Sequence, residues 1–175
     1  MTAPTSPKEA ITIRQARVGD AAALRALRLE ALQDRPIAFA SDYEEESGLP
    51  LSHTEEQLRD ETRNAIFVAV VDSMLVGMTG IGQYKHTKEK HNGIIWGVYV
   101  QPAWRGKSIS GRMIETCIDW ARRRSIRFVK LGVAAVNASA LNSYLRSGFR
   151  VYGVEPQVIY YGGVYYDELL MVKEI

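Results

Sequence analysis

Apolar and polar positions change period several times along this chain, and each change marks an element. Ile11 to Arg14 alternates like a first strand. Gly19-Asp20 then opens a helix with Asp20 as its cap, Leu24, Leu27 and Ala31 on one face, and Pro36 ending the region. Ser41 to Ser47 is an acidic segment, Ser-Asp-Tyr-Glu-Glu-Glu-Ser. Ser52-His53-Thr54-Glu55 has the spacing of a capping box and predicts a second helix running to about Thr62. Ala65–Val71 and Met74–Gln83 read as a hairpin across Asp72-Ser73, followed by a polar loop from Tyr84 to Asn92. Ile94–Val100 is an apolar strand that Pro102 ends, because proline cannot donate to a ladder. From Ile109 a helix is clear: Ile109, Met113, Cys117 and Ala121 fall at steps of four, with Ile114 and Ile118 beside them. Phe128–Val136 reads as a strand, a short helix follows Asn137, and Phe149–Val154 begins a final pair of strands with a phenol-rich tip at Tyr160–Tyr166.

The order is βααβββαβαββ. Strand pairs alternating with helices predict an α/β layered fold, a mixed central sheet of about seven strands with helices on both faces. At 175 residues the chain is expected to be a single domain over 11–175, after a loose N-terminal tail at 1–10 that contains Pro4 and Pro7. Apolar content of 46% and charged content of 24% fit a soluble globular protein. A net charge of +2 gives no bulk case for nucleic acid or an anionic membrane as partner. No apolar run approaches a membrane span, and the first ten residues lack the apolar core of a signal peptide, so the default expectation is cytoplasmic. Cys117, the only cysteine, lies on an apolar helix stripe and reads as a core thiol. His and Cys are too few and too badly spaced for a metal site. A homodimer is compatible with the sequence.

Two segments carry candidate chemistry. In Asn137 to Phe149, Asn137 is a favoured N-cap and Gly148 is the residue expected just past a helix end. Tyr144 follows Asn137 by two helical turns on the same face, which aims a phenol and a capping amide at one groove. In Val98 to Gly111, strand, turn and helix start follow one another. Arg105, Gly106, Lys107, Ser108, Ser110 and Gly111 cluster about the new N-terminus at Ile109, where unpaired N–H groups and the helix dipole suit a pyrophosphate. Gly106-Lys107-Ser108 is not the end of a nucleotide-binding P-loop, because Gln101 stands where that motif needs glycine.

The spacing Asn-x-x-Ala-x-x-x-Tyr-x-x-x-Gly-Phe over 137–149 resembles the C-terminal signature of the GCN5-related N-acetyltransferases. The resemblance implies that two central strands splay apart around acetyl-CoA. It implies Tyr144 as the acid that protonates the departing thiolate, and Asn137 as a contact to pantetheine or phosphate. It implies a bulge at Gly97 that turns the N–H groups of Val98 and Val100 toward the cofactor. That family shows Arg/Gln-x-x-Gly-x-Gly/Ala at its cofactor loop. Arg105 matches the first position, while Ser108 and Ser110 replace the two small ones. Serine adds a Cβ that crowds the loop and a hydroxyl that can donate to phosphate. The implied activity is transfer of acetyl from acetyl-CoA to a primary amine, of a small molecule or a peptide or protein, in a ternary complex. The alternative is a non-catalytic acetyl-CoA-binding or sensing protein on the same fold.

Such transfer needs a donor to the developing oxyanion, a proton for the thiolate and a base for the ammonium. Gly93-Ile94-Ile95-Trp96 offers no carboxylate, so the base candidates are Glu44, Glu45, Glu46, Glu155 or a water chain. His86 and His91 read as exposed, and Arg122-Arg123-Arg124 as a solvated helix end. The acidic segment and the tyrosine-rich hairpin suit a cationic amine, and a peptide N-terminus or lysine fits equally.

Overall fold

The computed structural model describes residues 10–175; the tail expected at 1–10 falls outside the described residues but for Ala10. One seven-stranded open sheet runs in the order β1-β2-β3-β4-β5-β7-β6. Its strands are β1 (Thr12–Gln15), β2 (Asn64–Val71), β3 (Met74–Gln83), β4 (Asn92–Val100), β5 (Phe128–Ala134), β6 (Arg150–Tyr161) and β7 (Val164–Glu174). The helices are α1 (Ala21–Asp34), α2 (Tyr43–Ser47), α3 (Leu51–Arg59), α4 (Ile109–Arg122) and α5 (Ala138–Arg146). All neighbouring strands are antiparallel except β4 and β5, so the sheet is mixed, as expected.

Four local readings change. The acidic segment adds a short helix to the expected order: the Asp42 carboxylate accepts from the Glu45 N–H at 2.8 Å and starts α2. The capping box at Ser52 goes unused. Pro50, extended and needing no N–H partner, stands at the cap of α3, which puts Ser52 inside the first turn. That helix stops at Arg59 rather than near Thr62, because Asp60 turns to accept from the Thr62 N–H and hydroxyl. Asp20 stands at the cap position of α1, but its carboxylate takes the Arg17 N–H and the Arg14 guanidinium instead of a helix amide. The hairpin across Asp72-Ser73 forms as expected, with both residues at positive φ.

Helices cover both faces. On one, α4 presents Ile114, Cys117 and Ile118 to Ile81, Ile95, Val129 and Leu131, all at most 3% exposed. On the other, Leu24 and Leu27 of α1 meet Val68, Met78 and Tyr99. Fully burying each such aliphatic side chain contributes about 1.5–3 kcal/mol, which anchors α1 and α4 to the two faces of the sheet. Among the described residues no helix is long and apolar enough to cross a membrane.

The site follows from two irregularities in β4. Its pairing with β5 is limited to Asn92, Gly93 and Ile94 against Phe128, Val129 and Lys130; beyond Ile94 the two strands part. On its other edge, Tyr99 pairs with Met78 and Trp96 with Gly80, so Gly97 and Val98 together oppose Thr79. This is the bulge, and Gly97 carries it at φ +65. The buried Thr79 hydroxyl donates to the Trp96 carbonyl at 3.4 Å. A Cβ on Gly97 would meet only Arg28 Nη1, at 3.9 Å, so strain rather than collision is what glycine avoids. Gly97→Ala should therefore cost about 1–2 kcal/mol of stability in a denaturant titration; an unchanged midpoint would mean that the positive φ is not held in solution.

Candidate active site

Strand residues alternate in the direction of their N–H groups. The Gln101 N–H donates to Val76 of β3 at 2.9 Å, so Tyr99 also faces β3, and Val100 faces away, into the opening beside β5. Arg105 Nε donates to the Val100 carbonyl at 3.0 Å on that outer edge. Val98 sits in the bulge, where the alternation breaks, and lines the same opening.

That gap is the floor of a cleft of about 630 Å³. Val98, Val100, Arg105, Gly106, Ser108, Ile109, Ser110, Gly111, Asn137 and Tyr144 all line it, so the structure brings together ten of the eleven site residues expected from sequence. Lys107 is the exception: its Nζ lies 4.1 Å from the Trp104 ring centroid. The first intrahelical bond of α4 is Arg112 N–H to Ser108 carbonyl, at 3.1 Å. Ser108 makes no side-chain cap, which leaves the amides of Ile109, Ser110 and Gly111 at the cleft without helical partners. Ser108 itself is left-handed, φ 58, ψ 21. A serine here adopts the backbone that glycine takes freely. The Ser110 hydroxyl lies 3.4 Å from that of Ser143, joining α4 to α5 across the cleft. Arg105 is more engaged than a loop cation: it pairs with Asp34 of α1 and stacks 5.6 Å from the Tyr99 ring centroid.

Helix α5 has the ends that its sequence predicts. Asn137 Oδ1 accepts from the Ala140 N–H at 3.2 Å, and Gly148, at φ +83, lies just past the last turn. Tyr144 is buried at 7% exposure, its ring edge-on to Phe149 with centroids 6.2 Å apart. Burial alone pushes its phenol above the ordinary tyrosine range, since no charge or hydrogen bond contributes. The hydroxyl is therefore protonated at neutral pH, which suits a proton donor and not a base.

A second cleft of about 440 Å³ opens on the other side of the bulge, and Gly97 forms part of its wall. Arg28, Glu46, His53, Thr79 and Trp96 line it. The base candidates separate here. Glu46 is bound by Arg28, Nη2 to Oε1 at 2.6 Å and Nε to both oxygens at 3.0 and 3.1 Å. Burial alone would raise its carboxyl, but Arg28 outweighs it and holds Glu46 below the usual carboxylate range, a poor proton acceptor. Glu45 is exposed at the rim, while Glu44 lines neither cleft. Glu155 is exposed on β6 opposite Glu168 of β7. The tyrosines of the β6–β7 tip line neither cleft. Sequence reasoning missed Arg28, Phe39 and Trp96. Arg28 follows the apolar face of α1 by one residue, and nothing local marks its partner eighteen positions on.

Comparisons with known proteins give the family and the fold. The family model described as the acetyltransferase (GNAT) family matches residues 26–149. Mycothiol acetyltransferase of Brachybacterium faecium is 28% identical over 146 residues, 77% of this chain but 44% of that protein, so the chain spans less than half of that relative. L-amino acid N-acetyltransferase of Escherichia coli is 26% identical over 123 residues, 68% of this chain and 74% of that protein. Ribosomal-protein-alanine N-acetyltransferase of Brucella melitensis superimposes with a TM-score of 0.82 at 26% identity, covering 94% of this chain and 99% of that one. The structure of yncA from Salmonella typhimurium with its cofactor acetyl-CoA matches at 0.83 and 23% identity over 94% of each chain, a likeness of fold.

The left-handed Ser108 yields a test. Glycine there should relieve backbone strain of about 1–2 kcal/mol and return about 0.5–1 of it as unfolded-chain entropy. Ser108→Gly is expected to unfold at an equal or slightly higher denaturant midpoint. Acetyl-CoA affinity should stay within about tenfold, 1.4 kcal/mol. A clear destabilisation would show that the serine hydroxyl, not the backbone angle, is what matters.

Proposed function

This chain belongs to the GNAT acetyltransferase family, and from that premise we propose that it transfers acetyl from acetyl-CoA directly to a primary amine while both are bound. The observation that carries the reading is the meeting of two clefts at one bulge. Val98 lines the first and Gly97 the second, so a thioester and an amine entering from opposite sides meet at adjacent residues.

The donor set fits acetyl-CoA. The open amides of Ile109, Ser110 and Gly111, at the positive end of a 14-residue helix, suit a pyrophosphate. The Val98 and Val100 N–H groups suit the amide-like pantetheine and the acetyl carbonyl, where an oxyanion donor is worth about 10²–10³ in rate. Acetyl-CoA supplies the activated acetyl group as a thioester. Everything else falls to the chain's residues. The acceptor nitrogen arrives neutral, its proton lost to water or to Glu45 at the rim of the second cleft. It bonds to the acetyl carbon as the carbon–sulfur bond breaks. The new amide nitrogen loses its remaining extra proton to water, and Tyr144 gives its phenolic proton to the sulfur and is reprotonated from that same water. Because Ser108 holds a glycine-like backbone, that serine is compatible with a working cofactor loop, and the intact Tyr144 favours an enzyme over a non-catalytic sensor.

Tyr144→Phe tests this reading. The ring and its packing on Phe149 remain, so acetyl-CoA should raise the melting temperature as in the parent protein. Turnover should fall by about 10²-fold or more. Equal turnover in the two proteins removes Tyr144 as the acid. The pH profile gives an independent check. A raised folded phenol pKa keeps the proton on Tyr144 up to and beyond the ordinary value of 10.0, so the rate should rise as the acceptor ammonium deprotonates and show no descending limb below pH 10. A descending limb near pH 8 would mean that another acid supplies the proton.

A further inference from the structure

The acceptor cleft holds a feature that the transfer chemistry does not use. Arg28 is locked in place: Nε and Nη2 grip Glu46, Nη2 also lies 3.4 Å from the Ser41 hydroxyl, and the guanidinium stacks 4.7 Å from the Phe39 ring centroid. Its remaining nitrogen, Nη1, has no hydrogen-bond partner among the described residues. That nitrogen stands 3.9 Å from the position of a Cβ on Gly97, beside the bulge. A fixed cationic donor thus points at the place where the acceptor amine must arrive.

We propose that the acceptor is a free α-amino acid whose carboxylate is held by Arg28 Nη1. This inference rests on the acetyl-transfer reading of the same site. In an α-amino acid the carboxyl carbon lies about 2.5 Å from the amine nitrogen, from two bonds of about 1.5 Å each. An amine poised at the bulge therefore carries its carboxylate to Arg28 without a spacer. Charge agrees with the geometry. Glu46 offsets Arg28, but Arg25 on the same wall spends its Nη2 on neutral carbonyls, those of Ser47 and Leu49 at 2.8 and 3.0 Å. Glu45 is exposed at the rim, so the interior of the cleft favours an anion over a second cation. Size agrees too. A cleft of about 440 Å³ roofed by Leu49, His53 and Gln57 suits a single small molecule. Leu24, Leu29, Ile66, Met78 and Trp96 give the side chain an apolar wall.

The experiment compares leucine, methionine and phenylalanine with their α-carboxamides and with an N-terminal dipeptide of each. Free acids should exceed amides and dipeptides by about 10- to 100-fold in kcat/KM, the range for a hydrogen bond to a charged group. Carboxamides have the less basic amine and so start with more neutral nucleophile, which makes the test a strict one. The double variant Arg28→Met with Glu46→Gln replaces the ion pair by neutral groups of similar shape. It should retain the melting shift with desulfo-CoA and lose the preference for acids. Calorimetry of leucine against leucinamide, with desulfo-CoA present, reads the carboxylate contact without turnover. Amides or dipeptides as good as acids in both assays would overturn the proposal while leaving acetyl transfer intact. A preference that survives in the double variant would overturn the role of Arg28. Absent turnover with every acceptor, a tenfold tighter binding of leucine than leucinamide would still support the carboxylate contact and would instead remove the acetyl-transfer reading; equal binding would remove both.

Discussion

The structure depends on a pairing that stops. β4 and β5 share three register positions and then separate after Ile94. Backbone donors left unpaired inside a protein cost roughly 1–3 kcal/mol each, so a sheet opens in this way only where something else takes the bonds. On one edge the gap exposes the Val100 N–H, and Val98 lines the same cleft. On the other edge the bulge at Gly97 disturbs the ladder, and the Thr79 hydroxyl donates to the Trp96 carbonyl there. The cleft lined by Val98 and Val100 is the direct consequence of that interrupted ladder.

The opening would be useless if its walls drifted, and α1 prevents this. Glu30 accepts from the Tyr99 hydroxyl at 3.0 Å and from Gln101 Nε2 at 2.7 Å, joining the middle of α1 to the end of β4. Burial and the Glu30 carboxylate both push the Tyr99 phenol up, which keeps it a donor. One turn further on, Asp34 takes Arg105 from the loop before α4. Arg28, on the same helix, lines the cleft on the Gly97 side and stacks on Phe39, which itself lines the cleft of Val98 and Val100. A single helix thus sets both clefts against one strand.

Much of this was legible in the sequence, and the reason is that it is local. Apolar steps of four marked α4, Asp72-Ser73 marked the hairpin, Asn137 and Gly148 marked the ends of α5, and Gly97 marked the bulge. The splayed strands came from the resemblance carried by residues 137–149. What escaped was either a contest between local signals or a contact far along the chain. Pro50 starts α3 ahead of the capping box at Ser52, because an extended proline needs no cap partner. Asp34 and Arg105 are seventy-one positions apart, and Arg28 and Glu46 eighteen, so no periodicity announces either pair. Ser108 escaped for a third reason: its left-handed backbone is imposed by the loop and not by its own preference.

The central claim is that the Val98 and Val100 amides face an open gap that acetyl-CoA closes. Residue-resolved amide hydrogen exchange, with and without desulfo-CoA, tests it most directly. The account predicts fast exchange at Val98 and Val100 in the free protein and strong protection on binding, with Tyr99 protected in both states. Protection of Val98 and Val100 already in the free protein, or no change at either on binding, would contradict it.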